Sequence, residues 1–261
     1  MPYADVNGQR IYFEDTGGDG PAVILAHGYM MDADMFGPQV AALGGRYRLI
    51  TWDERGFGRT EYDGEPFTYW DSADDCLGLL DHLGIDRAVV GGMSQGGFIS
   101  LRVALRAPER VRALILLDTQ AGVEDPEVVP LYDGMRDQWL ELGPVDELTG
   151  ALAGLIISDP EISEPWIEKW RARPSDAMIQ PYTTLMTRDD VTDRLGEITC
   201  PALVVHGTED VSISMDKAER LAAGLSGSSG VVAVPGAHAA NLTHPDAVNA
   251  AIVSFLESLP D

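Results

Sequence analysis

The chain has 261 residues, 45% of them hydrophobic, a size and composition typical of a folded α/β protein and unlike those of a disordered chain. Its formal net charge is −24, which argues against nucleic acid and anionic membranes as binding partners. No apolar run approaches the ~18 residues that a membrane-spanning helix needs. Cys76 and Cys200 lie far apart in sequence and no leader segment is evident, so we expect reduced thiols and a cytoplasmic protein.

The first predicted elements form a β-hairpin around the turn Asn7-Gly8. Apolar strands then alternate with helices, a pattern that predicts a mainly parallel, doubly wound sheet with helices on both faces. The first eight predicted elements, in chain order, are strands 3–6, 9–14, 22–26 and 47–52, a helix 70–83, a strand 87–90, a helix 98–105 and a strand 111–117.

This alternation stops after Gly122 and resumes near Pro201. Residues 123–190 are polar, helix-prone and rich in large side chains, and they are too numerous for a structureless loop. We predict that they form a helical cap over the strand ends, where open α/β sheets bind ligands. The core would then comprise residues 1–122 and 191–261, whose last predicted elements are strands 201–205 and 231–234 and helices 215–223 and 245–259.

The run Gly92-Met93-Ser94-Gln95-Gly96 follows a buried strand and precedes a helix. Two glycines placed two positions either side of Ser94 permit a turn that is too tight for β-carbons. Such a turn displays the serine hydroxyl at the edge of the sheet, where a neighbouring base can activate it. Ser94 is therefore the expected nucleophile.

His238 is the expected base for Ser94. It follows strand 231–234 through the loop Pro235-Gly236-Ala237, which brings it to the same sheet edge as the serine. His244 is the competing histidine, although its position before a proline at a helix start favours a structural role.

Asp210 is the expected acid that orients this histidine, because it lies just beyond strand 201–205. Glu209, its neighbour, and Asp118, at the end of the strand after Ser94, remain alternatives. The N–H groups of Tyr29 and Gln95 are expected to form the oxyanion hole, since each follows a strand that ends near the nucleophile.

Several ordered motifs together resemble those of the α/β-hydrolases over nearly the whole chain. They are His27-Gly28-Tyr29, the run from Asp53 to Thr60, the Gly92-to-Gly96 turn, Gly207-Thr208-Glu209-Asp210 and Gly236-Ala237-His238. The resemblance implies an α/β-hydrolase fold, similar to small serine esterases, lactonases and cofactor-free perhydrolases with a helical cap. Ser94 stands where epoxide hydrolases and haloalkane dehalogenases carry aspartate, which argues against those activities.

The expected activity is hydrolysis of a small to medium, mainly uncharged ester or lactone. Residues 123–190 contain 15 acidic and 5 basic residues, and this negative field disfavours anionic substrates. The sequence contains no spacing typical of a metal or dinucleotide site, so no cofactor is expected. We expect the substrate pocket to be lined by Met30, Trp139, Trp166 and Tyr182.

Three other functions remain open. Peroxide in place of water would give perhydrolase or haloperoxidase-like activity from the same acyl-enzyme. An enol-lactone or carbon–carbon bond hydrolase of aromatic catabolism would need a pocket arginine for its acidic substrate, and Arg136, Arg171, Arg173 and Arg188 are available. A non-catalytic ligand-binding protein on the same fold is the alternative of a different class.

Overall fold

The computed structural model describes residues 2–260. Within these residues one eight-stranded sheet runs in the order β1-β2-β4-β3-β5-β6-β7-β8. The pairs β1–β2 and β2–β4 are antiparallel, and all the remaining pairs are parallel. The strands are β1 (Tyr3–Val6), β2 (Gln9–Asp15), β3 (Ala22–Ala26), β4 (Arg48–Trp52), β5 (Ala88–Met93), β6 (Val111–Leu117), β7 (Ala202–Gly207) and β8 (Ser228–Val234).

Helices cover both faces of the sheet, as the sequence predicts. They are α1 (Gly37–Leu43), α2 (Tyr69–His82), α3 (Gln95–Arg106), α4 (Val129–Leu142), α5 (Asp146–Ile156), α6 (Pro160–Ala172), α7 (Ile179–Met186), α8 (Met215–Gly224), α9 (Ala240–Thr243) and α10 (Pro245–Ser258). Short 3₁₀ helices lie at Ala33–Phe36, Pro108–Arg110, Ser175–Met178 and Thr192–Glu197. None of the helices in residues 2–260 combines the length and apolar character needed to cross a bilayer.

Two hydrophobic clusters form the core, one on each face of the sheet. Ile24 of β3 packs into the cluster that includes α2, α3 and α8, whereas Val23 and Leu25 pack into the other, with α1 and α10. This alternation follows from the two-residue period of a strand, and it explains why a central strand is apolar at every position. The central strands are therefore fixed by burial on both sides.

Strand β8 begins at Ser228, three residues before the predicted start. It is the last strand of the sheet, and most of its side chains are at least partly exposed. Exposed residues at a sheet edge need not be apolar, so residues 228–230 gave no strand signal in the sequence.

Helices α4 to α7 all lie between β6 and β7, and we call them the helical insertion. Trp139, Trp166 and Trp170 of this insertion join the hydrophobic cluster that contains Met30 and Met93 of the core. The insertion therefore packs against the loops that follow the parallel strands. This is the edge of the sheet at which the expected site residues lie.

Candidate active site

Ser94 lies in the tight turn between β5 and α3, with its backbone at φ +50° and ψ −112°. This left-handed region is uncommon for any residue other than glycine. A Cβ on Gly92 would lie 2.4 Å from the Gly96 carbonyl carbon, and one on Gly96 would lie 1.9 Å from the Ala26 oxygen. Both glycines are thus required by the close approach of backbone to backbone, as the sequence predicts.

A continuous hydrogen-bonded line joins the three residues expected to form the triad. The Oγ atom of Ser94 lies 2.9 Å from Nε2 of His238, and Nδ1 of His238 lies 2.8 Å from Oδ2 of Asp210. All three side chains are buried. When Nδ1 carries the ring proton and donates a hydrogen bond to the carboxylate, Nε2 is free to accept the proton of the serine hydroxyl.

The loop after β7 holds the carboxylate of Asp210 in place. Its Oδ1 atom accepts hydrogen bonds from the N–H groups of Ser212 at 2.8 Å and Ile213 at 3.0 Å. Aspartate commonly bonds in this way to the backbone two and three residues ahead, which closes a turn. Because one oxygen is occupied by the backbone, the other is directed to His238.

The electrostatics of the pair favour a charged carboxylate beside the imidazole. Burial alone would lower the pKa of His238, but the charge and hydrogen bond of Asp210 raise it above its ordinary value. Burial would likewise raise the pKa of Asp210, yet His238 and the Ile213 N–H bring it below its ordinary value. The site therefore stabilises the imidazolium that forms when His238 takes a proton.

The alternative acids and base occupy other positions. Glu209 is exposed, and His244 is exposed with its Nδ1 atom 3.0 Å from the Thr243 hydroxyl. Asp118 is buried nearby, where one oxygen accepts the Gly207 N–H at 2.7 Å and the other has no hydrogen-bond partner in residues 2–260. Burial raises the pKa of Asp118 well above its ordinary value, which favours the neutral acid.

Asp118, His206 and Asp210 are close enough to suggest a metal site, since their ligand atoms lie within 4.8 Å of one another. Other contacts engage these groups: Nε2 of His206 lies 2.8 Å from the Ile213 carbonyl, and Asp210 is bonded to His238. His206 and Asp210 thus hold the loop after β7 and orient His238, and we assign no metal to this cluster.

The two expected oxyanion donors follow neighbouring strands. Tyr29 comes three residues after β3, and Gln95 is the first residue of α3, where helix N–H groups have no intrahelical partner. Sequence reasoning missed how Gln95 is held: its side-chain amide accepts from the Tyr69 hydroxyl at 2.9 Å and donates to the carboxylate of Glu54. Burial raises the pKa of Glu54 well above its ordinary value.

A largely apolar cavity opens beside Ser94 and His238, between the strand ends and the helical insertion. It encloses about 920 Å³, its open mouth included. Three of the four expected pocket residues line it: Met30, Trp139 and Tyr182. Tyr29, which was expected as an oxyanion donor, also lines it. Arg136, one of the four arginines considered for an acidic substrate, lines the cavity as well. The lining residues that were not predicted from the sequence are Met93, Phe98, Glu124, Tyr132, Met135, Leu152, Leu155, Ile156, Met178, Leu185, Ser212 and Ile213.

Trp166 was expected in the pocket, but it is not among the residues that line the cavity. Its ring is buried in the hydrophobic cluster that also contains Met30, and the Lys169 ammonium lies 4.4 Å from the ring centroid. The same helix, α6, is also bonded to the loop that follows β3. Nε1 of Trp170 donates to the Met30 carbonyl at 2.6 Å, and Lys169 also contacts Asp32 at 2.7 Å.

Comparisons with known proteins identify the family to which the chain belongs. A family model described as the alpha/beta hydrolase fold matches residues 21–149. The chain is 33% identical to the protein called "Putative carbamate hydrolase RutD" of Rhizobium rhizogenes, over 95% of this chain and 98% of that one.

Two solved structures extend the likeness to the whole fold. The enol-lactonase from Burkholderia xenovorans LB400 superposes with a TM-score of 0.90 at 27% identity, covering 98% of this chain and 100% of that one. A thermophilic esterase from Thermogutta terrifontis superposes with a TM-score of 0.87 at 28% identity, covering 96% and 94% of the two chains. The chain belongs to the α/β-hydrolase fold family, and hydrolysis is its class of activity.

Proposed function

We propose that the protein is a serine hydrolase that cleaves a carboxylic ester or lactone through an acyl-enzyme on Ser94. The observation that carries this proposal is the hydrogen-bonded line from Ser94 through His238 to Asp210, which opens on an apolar cavity. In this proposal, residues 1–122 and 191–261 carry the triad and residues 123–190 act as a cap over the substrate.

The acylation step uses each group in turn. Ser94 Oγ bonds to the substrate carbonyl carbon while its proton passes to Nε2 of His238, and Asp210 stabilises the resulting imidazolium. The carbonyl electron pair moves onto oxygen, which accepts hydrogen bonds from the N–H groups of Tyr29 and Gln95. The ester C–O bond then breaks, and the imidazolium returns its proton to the leaving alcohol.

Water completes the reaction along the same path. His238 takes a proton from the water as its oxygen bonds to the acyl carbon, and the second tetrahedral intermediate collapses with loss of Ser94 Oγ. The serine recovers its proton and the carboxylic acid leaves. With a lactone, the alcohol and the acid remain in one molecule.

The cavity lining supports an uncharged substrate. Most of its side chains are aliphatic, aromatic or methionine, so apolar acyl groups gain from burial there. The similarity to an esterase and an enol-lactonase supports the ester and lactone classes for this chain. We therefore expect small to medium acyl esters, such as a butyrate, to be better substrates than polar ones.

The decisive test replaces the nucleophile. Ser94→Ala should lower kcat/KM for p-nitrophenyl butyrate by about 10⁴-fold or more, because no other group supplies the acyl-enzyme oxygen. A fluorophosphonate probe should phosphonylate the wild type, with loss of HF, and should leave this variant unlabelled.

Ser212→Ala is the matched control, since its hydroxyl also lines the cavity but donates to the Leu155 carbonyl and contacts no imidazole. This variant should still be labelled at Ser94. Full activity or full labelling in Ser94→Ala would remove the basis of the proposed function.

A further inference from the structure

A buried ion pair forms part of the cavity wall. The carboxylate of Glu124 lies 2.9 Å from the Arg188 guanidinium, and the two side chains are 9% and 1% exposed. Glu124 lines the cavity, whereas Arg188 lies behind it, 4.4 Å from the ring centroid of the cavity residue Phe98. A substrate that reaches Glu124 is therefore one side chain away from a buried cation.

Arg188 is fixed in this position by the backbone as well as by Glu124. Its Nε donates to the Gly122 carbonyl at 3.1 Å and its NH1 donates to the Leu185 carbonyl at 2.7 Å. The guanidinium would thus remain at the cavity wall if the Glu124 carboxylate were removed. Its Nη2 group, which now donates to Glu124 at 2.9 Å, would then be free to donate to the carboxylate of a substrate.

The other cation of the cavity wall, Arg136, is already neutralised. Its guanidinium lies 2.7 Å from Asp133 and 2.8 Å from Asp137 on its own helix, and it also stacks on Tyr182. No comparable pair of carboxylates holds Arg188 among residues 2–260, where Glu124 is its one acidic partner.

The Glu124 charge is also felt at the reacting atoms. Burial lowers the pKa of His238, Asp210 raises it most strongly, and Glu124 is among the further carboxylates that raise it. An anionic acyl chain that reaches this wall would therefore meet the Glu124 carboxylate and not the Arg188 guanidinium behind it.

We propose that Glu124 is a specificity-determining residue: its carboxylate occupies the guanidinium of Arg188 and so excludes acyl substrates that end in a carboxylate. This inference rests on the proposed ester hydrolysis. The Glu124 carboxylate repels the carboxylate of such a substrate, whereas a neutral acyl chain meets no like charge and is accepted.

The test compares two esters of similar length, the neutral p-nitrophenyl pentanoate and the monoanionic mono-p-nitrophenyl glutarate. The measured quantity is the ratio of kcat/KM for the anionic ester to that for the neutral one. Glu124→Ala should raise this ratio about 10- to 100-fold, the range expected for one new charge-assisted hydrogen bond.

Two control variants separate the Arg188 contact from a general loss of negative charge. Asp125→Ala removes the neighbouring carboxylate, which pairs with Lys217, and should leave the ratio within about twofold of wild type. Glu124→Ala combined with Arg188→Met should lose the gain, since no cation remains behind the cavity wall. An unchanged ratio in folded Glu124→Ala overturns the inference, as does an equal rise in Asp125→Ala.

Removing one partner of a buried pair can prevent folding, so Glu124→Gln serves as a second variant. It keeps the shape of the side chain and one acceptor for Arg188, and its ratio should rise by a smaller factor, about threefold to tenfold. No rise in the folded glutamine variant also contradicts the proposal.

A readout that needs no turnover distinguishes this inference from the proposed function. Sodium butyrate, at matched ionic strength, should raise the melting temperature of Glu124→Ala by more than that of the wild type, and butyramide should shift the two proteins equally. If Ser94→Ala keeps full activity, the proposed function fails while this binding test still decides the role of Glu124. If butyrate stabilises Glu124→Ala no more than it stabilises the wild type, the carboxylate subsite is refuted while the serine mechanism stands.

Discussion

Replacing Asp210 with asparagine should disable the base by reversing its tautomer. In the wild type, Oδ1 accepts the N–H groups of Ser212 and Ile213, and Oδ2 accepts the proton on Nδ1 of His238. The asparagine oxygen will stay with the two backbone donors, so its NH₂ group will face the imidazole. His238 must then accept at Nδ1 and carry its proton on Nε2, the atom that has to accept the proton of Ser94.

The size of the expected fall in kcat/KM follows from the loss of the base, because the cavity and the backbone donors are retained. We expect kcat/KM for p-nitrophenyl butyrate to fall about 10³- to 10⁴-fold, which corresponds to about 4–5.5 kcal/mol of barrier. The melting temperature should change little, because both backbone hydrogen bonds persist.

Asp118→Asn is the matched control for this experiment. Asp118 is a second buried carboxyl group beside the same loop, and its raised pKa favours the neutral acid, which asparagine resembles in shape. Its variant should lose less than about tenfold in kcat/KM. If Asp118→Asn lost as much activity as Asp210→Asn, the assignment of the orienting acid would be refuted.

The remaining predictions concern pH and stability. Because Asp210 raises the pKa of His238, wild-type kcat/KM should fall as the pH drops through a value above 6.5. The residual activity of Asp210→Asn should fall only at lower pH. An acidic limb at the same pH in both proteins would contradict this. Gly96→Ala should destabilise the protein by about 3 kcal/mol in urea unfolding, whereas Gly150→Ala, in open space on α5, should stabilise it by about 0.5–1 kcal/mol; equal effects would refute the steric reason. Arg55→Met should cost about 3–5 kcal/mol because it leaves the buried Asp75 carboxylate unpaired, and adding Asp75→Leu should recover most of that loss.

The central strands and the triad geometry could be predicted because each depends on local and general constraints. Parallel strands buried on both faces are apolar at every position, so β3 and β6 were predicted with their observed bounds. The glycine spacing around Ser94 predicts a tight turn, because no β-carbon fits at position 92 or 96. Since the carboxyl ends of parallel strands share one edge, residues that follow β7 and β8 were expected near that serine.

The cavity lining could be predicted only in part, because it depends on how each helix of the insertion is rotated. Trp139 and Trp166 are both large aromatic residues on amphipathic helices, and the sequence does not say which buried face meets the cavity. Trp139 lines the cavity, whereas Trp166 is buried in the hydrophobic cluster without lining the cavity. The pairing of Glu124 with Arg188 has no local signal either, since the two residues lie 64 positions apart.

The contact between α6 and the loop after β3 has a consequence for exchanging parts among relatives. Trp170 donates to the Met30 carbonyl, and Lys169 bridges Asp32 and Asp34 of the same loop. Grafting a foreign insertion onto this core would sever these bonds one residue from the proposed oxyanion donor. A working chimaera should therefore take residues 29–34 and α6 from the same parent, because the two segments are bonded to each other.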